Sequence, residues 1–488
     1  MTERHETTFI AEHAHVAPVP SRTDDARVGI EIVPGSEPVD GPPAAGSTGD
    51  EHRIVRADRT ARAGQPADQI RMARAAEPVR SPIDDLRRRM RGEHERVAGE
   101  LDHGVGARVV RRMDFSKTVD RREATVGRGL QRFGQSMHGV RHYVRAMRVD
   151  VMSVPKPLRE MGSVAQSAVD AGFTGMLLTE GGRTAFSAAT AAALAAPGLE
   201  LSTGVAVAFP RSPMITAQLA WELQELTGGS FRLGLGTQVR THVVRRYGVE
   251  FEHPGPRLRD YVRAVKACFA GFRGEPLDHH GEFYELTFLN RQWSPGPIDE
   301  PDPKVDIAAV NPWMLQMAGE VADGVHVHPL GEPGYLARHV LPGLAEGAAR
   351  AGRDAGELTV IVPALTIVGD TDEEVATARE RARMSLSFYG STPNYAFIWD
   401  EAGFEGTTAR VRERQKAGDF AGMAAEITDE HVSAFATEAT WDTLADALVD
   451  KYRGIVDRLV LYSAADETPE RFARYGEIAR SIVGRHPD

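Results

Sequence analysis

The sequence predicts an α/β protein, a closed (β/α)8 TIM barrel with insertions, preceded by an extension of different character. Three observations carry this. From Met147 onward, short apolar and β-branched runs alternate with segments of helical period; eight such pairs fit between 147 and 488; and no GxGxxG opens a helix after the first strand. Strands that are apolar at nearly every position are buried on both faces, as in a parallel sheet covered by helices. Eight of them in one stretch of this size suit a single barrel, with a doubly wound open sheet as the alternative.

The elements follow in order. RVDVMSV (148–154) is the first strand, with a helix ending near Ala171, and FTGMLLTE (173–180) is the second, with an Ala-rich helix after Phe186. LSTGVAVAF (201–209) is the third, followed by the helical period of SPMITAQLAWELQEL, and FRLGLG (231–236) is the fourth, ending in glycines. VDIAAV (305–310) leads into PWMLQMAGEVA, GVHVHPL (324–330) into YLARHVLPGLAEGAARAG, LTVIVPALTIVG (358–369) into a helix starting at TDEEVATARER, and DRLVLYSA (457–464) into the terminal helix. Two insertions interrupt the repeat: 273–304 reads as a small hairpin and a Pro-rich loop, and 386–440 as a helical excursion carrying the aromatic cluster SFYGSTPNYAFIW. Long loops at the ligand end of a barrel shape the substrate pocket.

Residues 1–146 are rich in Arg, Ala, Pro, Asp and Glu with few aromatics, a composition that predicts a low-complexity, disordered segment with one charged helix at 81–101. It holds 25 basic and 22 acidic residues, leaving 33 basic against 47 acidic in 147–488. An acidic barrel argues against nucleic acid as a partner. Only Lys117 of those 25 basic residues is a lysine, and Met147 directly precedes the first strand, so the extension is read as an upstream stretch carried by an early start codon. One cysteine, Cys268, excludes a disulfide framework and reads as a buried apolar residue. With neither an apolar run of membrane length nor a secretory leader, the expectation is a cytoplasmic protein acting on a small molecule, without a membrane partner; a homodimer is left open.

Ligands of parallel sheets bind beyond the carboxyl ends of the strands, which places Gly204–Phe209 and Gly234–Gln238 where chemistry is expected. Arg240 and His242 face the same mouth if a helix starts there. His326 and His328 alternate along one strand and share a face, but two histidines without a third clustered ligand make no metal site, so His328 is expected to line the site.

The segments RVDVM, TGVAVAFPRSP, LQELTGGSFRLGLGTQ, HPGPRLRDYVRAVKACF, GEFYEL and PWMLQMAGEVADGVHVHP, in this order and spacing, make 147–488 resemble the luciferase-like monooxygenase superfamily, in particular its coenzyme F420-dependent oxidoreductase branch. The resemblance implies a non-prolyl cis peptide at the end of the third strand, at Gly204, Val205 and Ala206, backing the ring of a flavin or deazaflavin. It further implies that Gly236, Thr237 and Gln238, and Ala309, Val310 and Asn311, line the cofactor, and that Glu180 stands near the redox centre. A carboxylate at the lip of an apolar barrel can serve as acid or base, so Glu180 and His242 are the catalytic candidates. Where relatives have Gly before Pro this chain has Asn311, which tolerates unusual backbone angles. Two departures stand out: Arg183-Thr184-Ala185-Phe186 replaces a His-Asp-Pro-Phe run, making Arg183 an anion-binding candidate with Arg240, and Thr227-Gly228-Gly229-Ser230 replaces Ser-x-Gly-Arg. The activity implied is hydride transfer between coenzyme F420 and a small organic substrate. The alternatives are an FMN-dependent monooxygenase of the same superfamily and a non-catalytic cofactor-binding protein.

Overall fold

The computed structural model describes residues 147–462, 464 and 467–484. The extension and its charged helix, read above from sequence, lie outside the described residues. The chain runs β1 (Arg148–Ser153), α1 (Leu158–Ala171), β2 (Gly175–Leu178), α2 (Ala185–Ala195), β3 (Glu200–Thr203), β4 (Ala206–Val207), α3 (Pro213–Leu226), β5 (Phe231–Gly236) and α4 (Pro254–Phe272). A hairpin of β6 (His279–His280) and β7 (Glu285–Leu286) precedes β8 (Lys304–Ala308), α5 (Pro312–Val321), β9 (Gly324–His326) and α6 (Leu341–Arg350). Then come β10 (Thr359–Ile367), α7 (Asp372–Gly390), α8 (Ala396–Glu401), α9 (Thr407–Lys416), α10 (Phe420–Ala425), α11 (Asp429–Phe435), β11 (Ala436–Glu438), α12 (Leu444–Tyr452), β12 (Arg458–Leu461) and α13 (Pro469–Gly484).

β1, β2, β3, β5, β8, β9, β10 and β12 pair in that order, all parallel, and β12 returns to β1 to close the barrel. The eight strands expected from sequence are the eight of the ring. β11 was not expected: within the largely helical second excursion, three residues add in parallel to Leu365–Ile367 at the end of β10. So short a strand has no period of its own and exists only because the β10 edge is available.

Local chemistry sets the helix starts. Pro213 occupies the first turn of α3 while the Ser212 hydroxyl accepts from the Ile215 amide, and Thr371 caps α7 ahead of Asp372, Glu373 and Glu374. Those carboxylates complement the positive end of the helix dipole. The hairpin is held by α4: buried Asp260 accepts from the amides of Phe283 (2.6 Å) and Tyr284 (3.0 Å) and contacts His279 Nε2 at 2.8 Å. Two of the quoted motifs, RDYV and GEFYEL, are thus one tertiary unit.

Side chains alternate along each strand, so half face the helices and half fill the barrel. Val149 and Val151 join the outer apolar layer. Inside, near the strand starts, Arg458 binds Asp150 through Nε (2.8 Å) and Nη2 (2.7 Å) and reaches Glu200 (2.6 Å), while Arg232 binds Asp306 at 2.8 and 2.6 Å. Above these charges lies an apolar plug of Met152, Leu177, Ile361 and Val460. Cys268 is buried in α4, its thiol pushed up to about 12 by burial. No helix among the described residues is long and apolar enough to cross a membrane, and none of their His, Cys, Asp and Glu side chains gather into a metal-binding group.

Candidate active site at the barrel mouth

The third strand does not run straight to the mouth. Ser202 pairs opposite Arg232, but Ala206 pairs opposite Leu235, so one extra residue is accommodated on the β3–β4 side. That is a β-bulge, and it contains the cis peptide Gly204–Val205. The missing ladder bonds are replaced by a side chain: the buried Thr203 hydroxyl donates to the Gly234 carbonyl (2.7 Å) and accepts from the Gly234 amide (2.9 Å). Glycines make the room. A Cβ on Gly204 would stand 2.0 Å from Leu177 Cδ2, and one on Gly236 would stand 2.6 Å from Val205 Cγ2. Val205 therefore rests over bare backbone, beside Ala308, and offers an apolar seat at the centre of the mouth. A planar ring system is the kind of group such a seat fits, since a flat apolar face can approach backbone that carries no side chain.

Glu180, just past β2, is held against this bulge. Its side chain is 3% exposed; Oε2 accepts from the Val207 amide at 2.7 Å and from Arg211 Nη1 at 2.9 Å, and Oε1 accepts from Arg211 Nη2 at 2.5 Å. Arg211 also donates to the Val207 carbonyl at 3.0 Å and lies 5.0 Å from the centre of the Phe186 ring. A bidentate guanidinium–carboxylate pair is among the most geometrically restrictive polar contacts. Both carboxylate oxygens are thus occupied in fixing where β4 runs.

After β5, Thr237 is half-buried, and Gln238 turns the chain with φ 56°, a left-handed conformation unusual for its residue type. Its Oε1 accepts from the Val239 amide at 2.9 Å. A π-helical turn, His242–Arg246, starts here, with His242 half-buried in it. Arg246 of that turn donates to the Gly181 carbonyl, linking it to the loop after β2. Arg240 is exposed and directed to the Phe251 carbonyl (2.8 Å), and Arg183 is exposed on the loop before α2.

Ala309, Val310 and Asn311 continue β8 to the start of α5. The expectation for Asn311 needs correction in its physical reason. Its backbone is ordinary extended chain (φ −79°, ψ 160°), and its Oδ1 accepts from the Met314 amide at 2.9 Å with Pro312 next in line. Asparagine serves here as a helix cap, not as a carrier of unusual angles.

On β9, buried His326 lies with Nε2 3.9 Å from Asp306, and burial pushes its pKa down to about 4. It points into the barrel, because a Cβ on Gly234 would stand 2.5 Å from that Nε2. His328 lies past the strand end, among aromatic rings.

The bulge brings Gly204, Val205, Ala206 and Gly236 together, with Glu180 behind them, whereas Arg183 and Arg240 stay on the exposed rim. Sequence reasoning missed Arg211 and Thr203. Arg211 lies inside the TGVAVAFPRSP run, and a lone charge so close to the end of an apolar strand was the available signal; nothing in the sequence points to Thr203. The aromatic cluster SFYGSTPNYAFIW was noticed, but not which of its rings reach the mouth.

Residues 137–458 match the family described as luciferase-like monooxygenase. An uncharacterized protein of Mycobacterium tuberculosis is 36% identical over 317 residues, spanning 64% of this chain and 93% of that one. A 5,10-methylenetetrahydromethanopterin reductase of Archaeoglobus fulgidus is 27% identical over 313 residues, 62% of this chain and 88% of that protein. The solved coenzyme F420 dependent tetrahydromethanopterin reductase of Methanopyrus kandleri superposes with a TM-score of 0.58 at 19% identity, covering 68% of this chain and 97% of that one, a likeness of fold. With a match that spans most of the chain and the whole ring of strands up to the start of β12, the protein belongs to the luciferase-like monooxygenase family.

Proposed function

We propose that this chain is an oxidoreductase that transfers a hydride between coenzyme F420 and a small organic substrate. The observation that carries the reading is the apolar seat of Val205 over Gly236 at the centre of the mouth. Sequence kinship to a 5,10-methylenetetrahydromethanopterin reductase supports a reductase reading, with FMN the alternative cofactor within the family. When bound, the coenzyme supplies the carbon that gives or takes the hydride. Gly204, Val205 and Ala206 would back its ring system; Gly236, Thr237 and Gln238, with Ala309, Val310 and Asn311, would line its edges. Arg183 and Arg240 would meet anionic groups at the rim.

Glu180 and His242 take different parts in this reading. Glu180, both of whose oxygens are engaged by Arg211 and the Val207 amide, acts as a positioning residue that keeps the bulge in place. His242, half-buried on the π-helical turn, holds or moves the proton at its imidazole.

Titration of the purified chain with coenzyme F420 and with FMN, followed by absorbance and fluorescence, tests the cofactor. Saturable F420 binding with little FMN affinity is expected; tight FMN binding without F420 affinity overturns the assignment in favour of a flavin monooxygenase. With F420 bound, His242→Ala is expected to lower turnover at saturating coenzyme, while Glu180→Gln weakens coenzyme binding first. Coenzyme binding without redox change across a substrate panel would leave a non-catalytic binding protein.

A further inference from the structure

Across the mouth from the bulge stands a wall of four rings drawn from four separate segments. His328 lies just past β9, Tyr389 in the last turn of α7, Tyr395 in the short turn Pro393–Tyr395 that follows, and Tyr462 just past β12. The Tyr395 ring centre is 3.9 Å from that of His328, and the Tyr389 ring meets His328 edge-on at 4.7 Å. The hydroxyls of Tyr389 and Tyr462 are hydrogen-bonded to each other. Tyr462 packs on the plug that contains Leu177, and Leu177 is the side chain that a Cβ on Gly204 would strike. The ring wall and the bulge therefore stand on one floor.

The wall offers hydrogen-bond donors without charge. His328 Nδ1 accepts from the Leu330 amide at 3.2 Å, which puts the proton of a neutral imidazole on Nε2. Burial pushes the His328 pKa down to about 3 and raises Tyr395, and Tyr389 is raised by burial and by its two tyrosine neighbours. Burial and the neighbouring tyrosines are the causes of these shifts. On the side of the wall the rim is apolar as well, away from Arg183 and Arg240: Val154 past β1 is 50% exposed and Phe388, whose ring is 5.4 Å from that of Tyr389, is 52% exposed. A charged substrate would give up hydration here without gaining a counter-ion, whereas a flat neutral one gains ring contacts and keeps a hydrogen bond.

We propose that the His328–Tyr389–Tyr395–Tyr462 wall is the substrate-recognition face, and that it selects an uncharged, ring-sized molecule bearing one accepting oxygen, of the aryl or alicyclic ketone class. With Tyr462 donating to Tyr389, the Tyr389 hydroxyl and His328 Nε2–H both donate to that oxygen, while Tyr395 stacks on the ring. The proposal rests on the mouth being the oxidoreductase site, and it adds the substrate class and the residues that choose it.

The test uses three probes of one ring size: acetophenone, ethylbenzene, which lacks the acceptor, and benzoate, which carries a charge. Binding to the full chain is read by saturation-transfer NMR without coenzyme and again with F420 present. Acetophenone is expected to bind roughly fivefold tighter than ethylbenzene, the range of one net hydrogen bond, and benzoate weakest of the three. Tyr389→Phe, which leaves His328 as the remaining donor, should clearly reduce the advantage of acetophenone and leave ethylbenzene unchanged; His328→Gln, which keeps a neutral donor, should retain most of it. Circular dichroism on each variant verifies that it is folded. Benzoate binding as tightly as acetophenone, an unchanged probe ratio in Tyr389→Phe, or no binding of any probe to the folded chain overturns the proposal. A flat ratio in a chain that binds F420 sinks the substrate assignment alone, and a preserved ratio in a chain that ignores F420 sinks the cofactor reading alone.

Discussion

At the end of the barrel where the strands begin, the interior is filled by charge: Asp150, Arg458 and Glu200 in one network, Arg232 and Asp306 in another. At the end where the strands finish, the interior carries bare glycine backbone, Val205 and uncharged rings. The contrast teaches where this protein keeps its specificity of fold and where it keeps room for a ligand. Paired charges taken out of water add little net stability, but they tolerate only one arrangement, so they hold the strands in register. The opposite end is kept clear of side chains at Gly204 and Gly236, and its polar bonds are spent on backbone: Thr203 on Gly234, Glu180 on Val207.

If the charged end is scaffold, breaking it should cost stability and spare the ligand. Asp306→Asn leaves half-buried Arg232 without its counter-charge and is expected to lose ~3 kcal/mol in denaturant unfolding, the low end for removing one partner of a buried pair. F420 affinity of the molecules that remain folded should be unchanged; a loss of affinity without a loss of stability would reverse the comparison.

A smaller effect comes from the level between the two ends. His326 takes up its proton near 6.5 when unfolded but only near 4 when folded, so the unfolded state binds more protons inside that window. Stability is therefore complete above the unfolded value and is lost as pH falls through the window, with His328 acting in the same direction. Between pH 7 and 4.5 the loss from His326 should be about 2–3 kcal/mol, seen as a falling melting temperature. His326→Gln should remove that share and leave the part due to His328, and a fall as steep as in the parent would assign the effect to other groups.

The smallest stability effect belongs to the ligand end. Gly236→Ala puts a methyl 2.6 Å from Val205 Cγ2, which must give way at a cost of ~1 kcal/mol, the low end of overpacking. Coenzyme affinity should nevertheless drop by tenfold or more, because the seat itself has moved. A variant that binds F420 as tightly as the parent would show that Val205 does not back the ring.

Much of the architecture was legible because it is written locally. Several ring strands carry unbroken apolar runs such as Met176–Leu178 and Leu459–Leu461, and the starts of α3, α5 and α7 carry Ser212–Pro213, Asn311–Pro312 and Thr371 within one turn of the helix. The glycines of TGVAV and GLG marked the mouth for the same reason, as residues placed where backbone must come close. The clamp was not legible: Glu180 could be recognised as an acid at a strand end, but its partner Arg211 is 31 residues away and its third bond is to a backbone amide. Nor was the tyrosine wall, whose rings arrive from three different barrel segments.

By itself the sequence determined the order of strands and helices, the caps that start α3, α5 and α7 and the positions bare of side chains, since periodicity, capping and steric size act over a few residues along the chain. Only ring closure decided that Arg458 meets Asp150 across 308 residues, that the third strand takes an extra residue against the fourth, and that His328 and three tyrosines gather past the strand ends. Those relations are distances between strands, and a strand acquires its neighbours only when the sheet has closed.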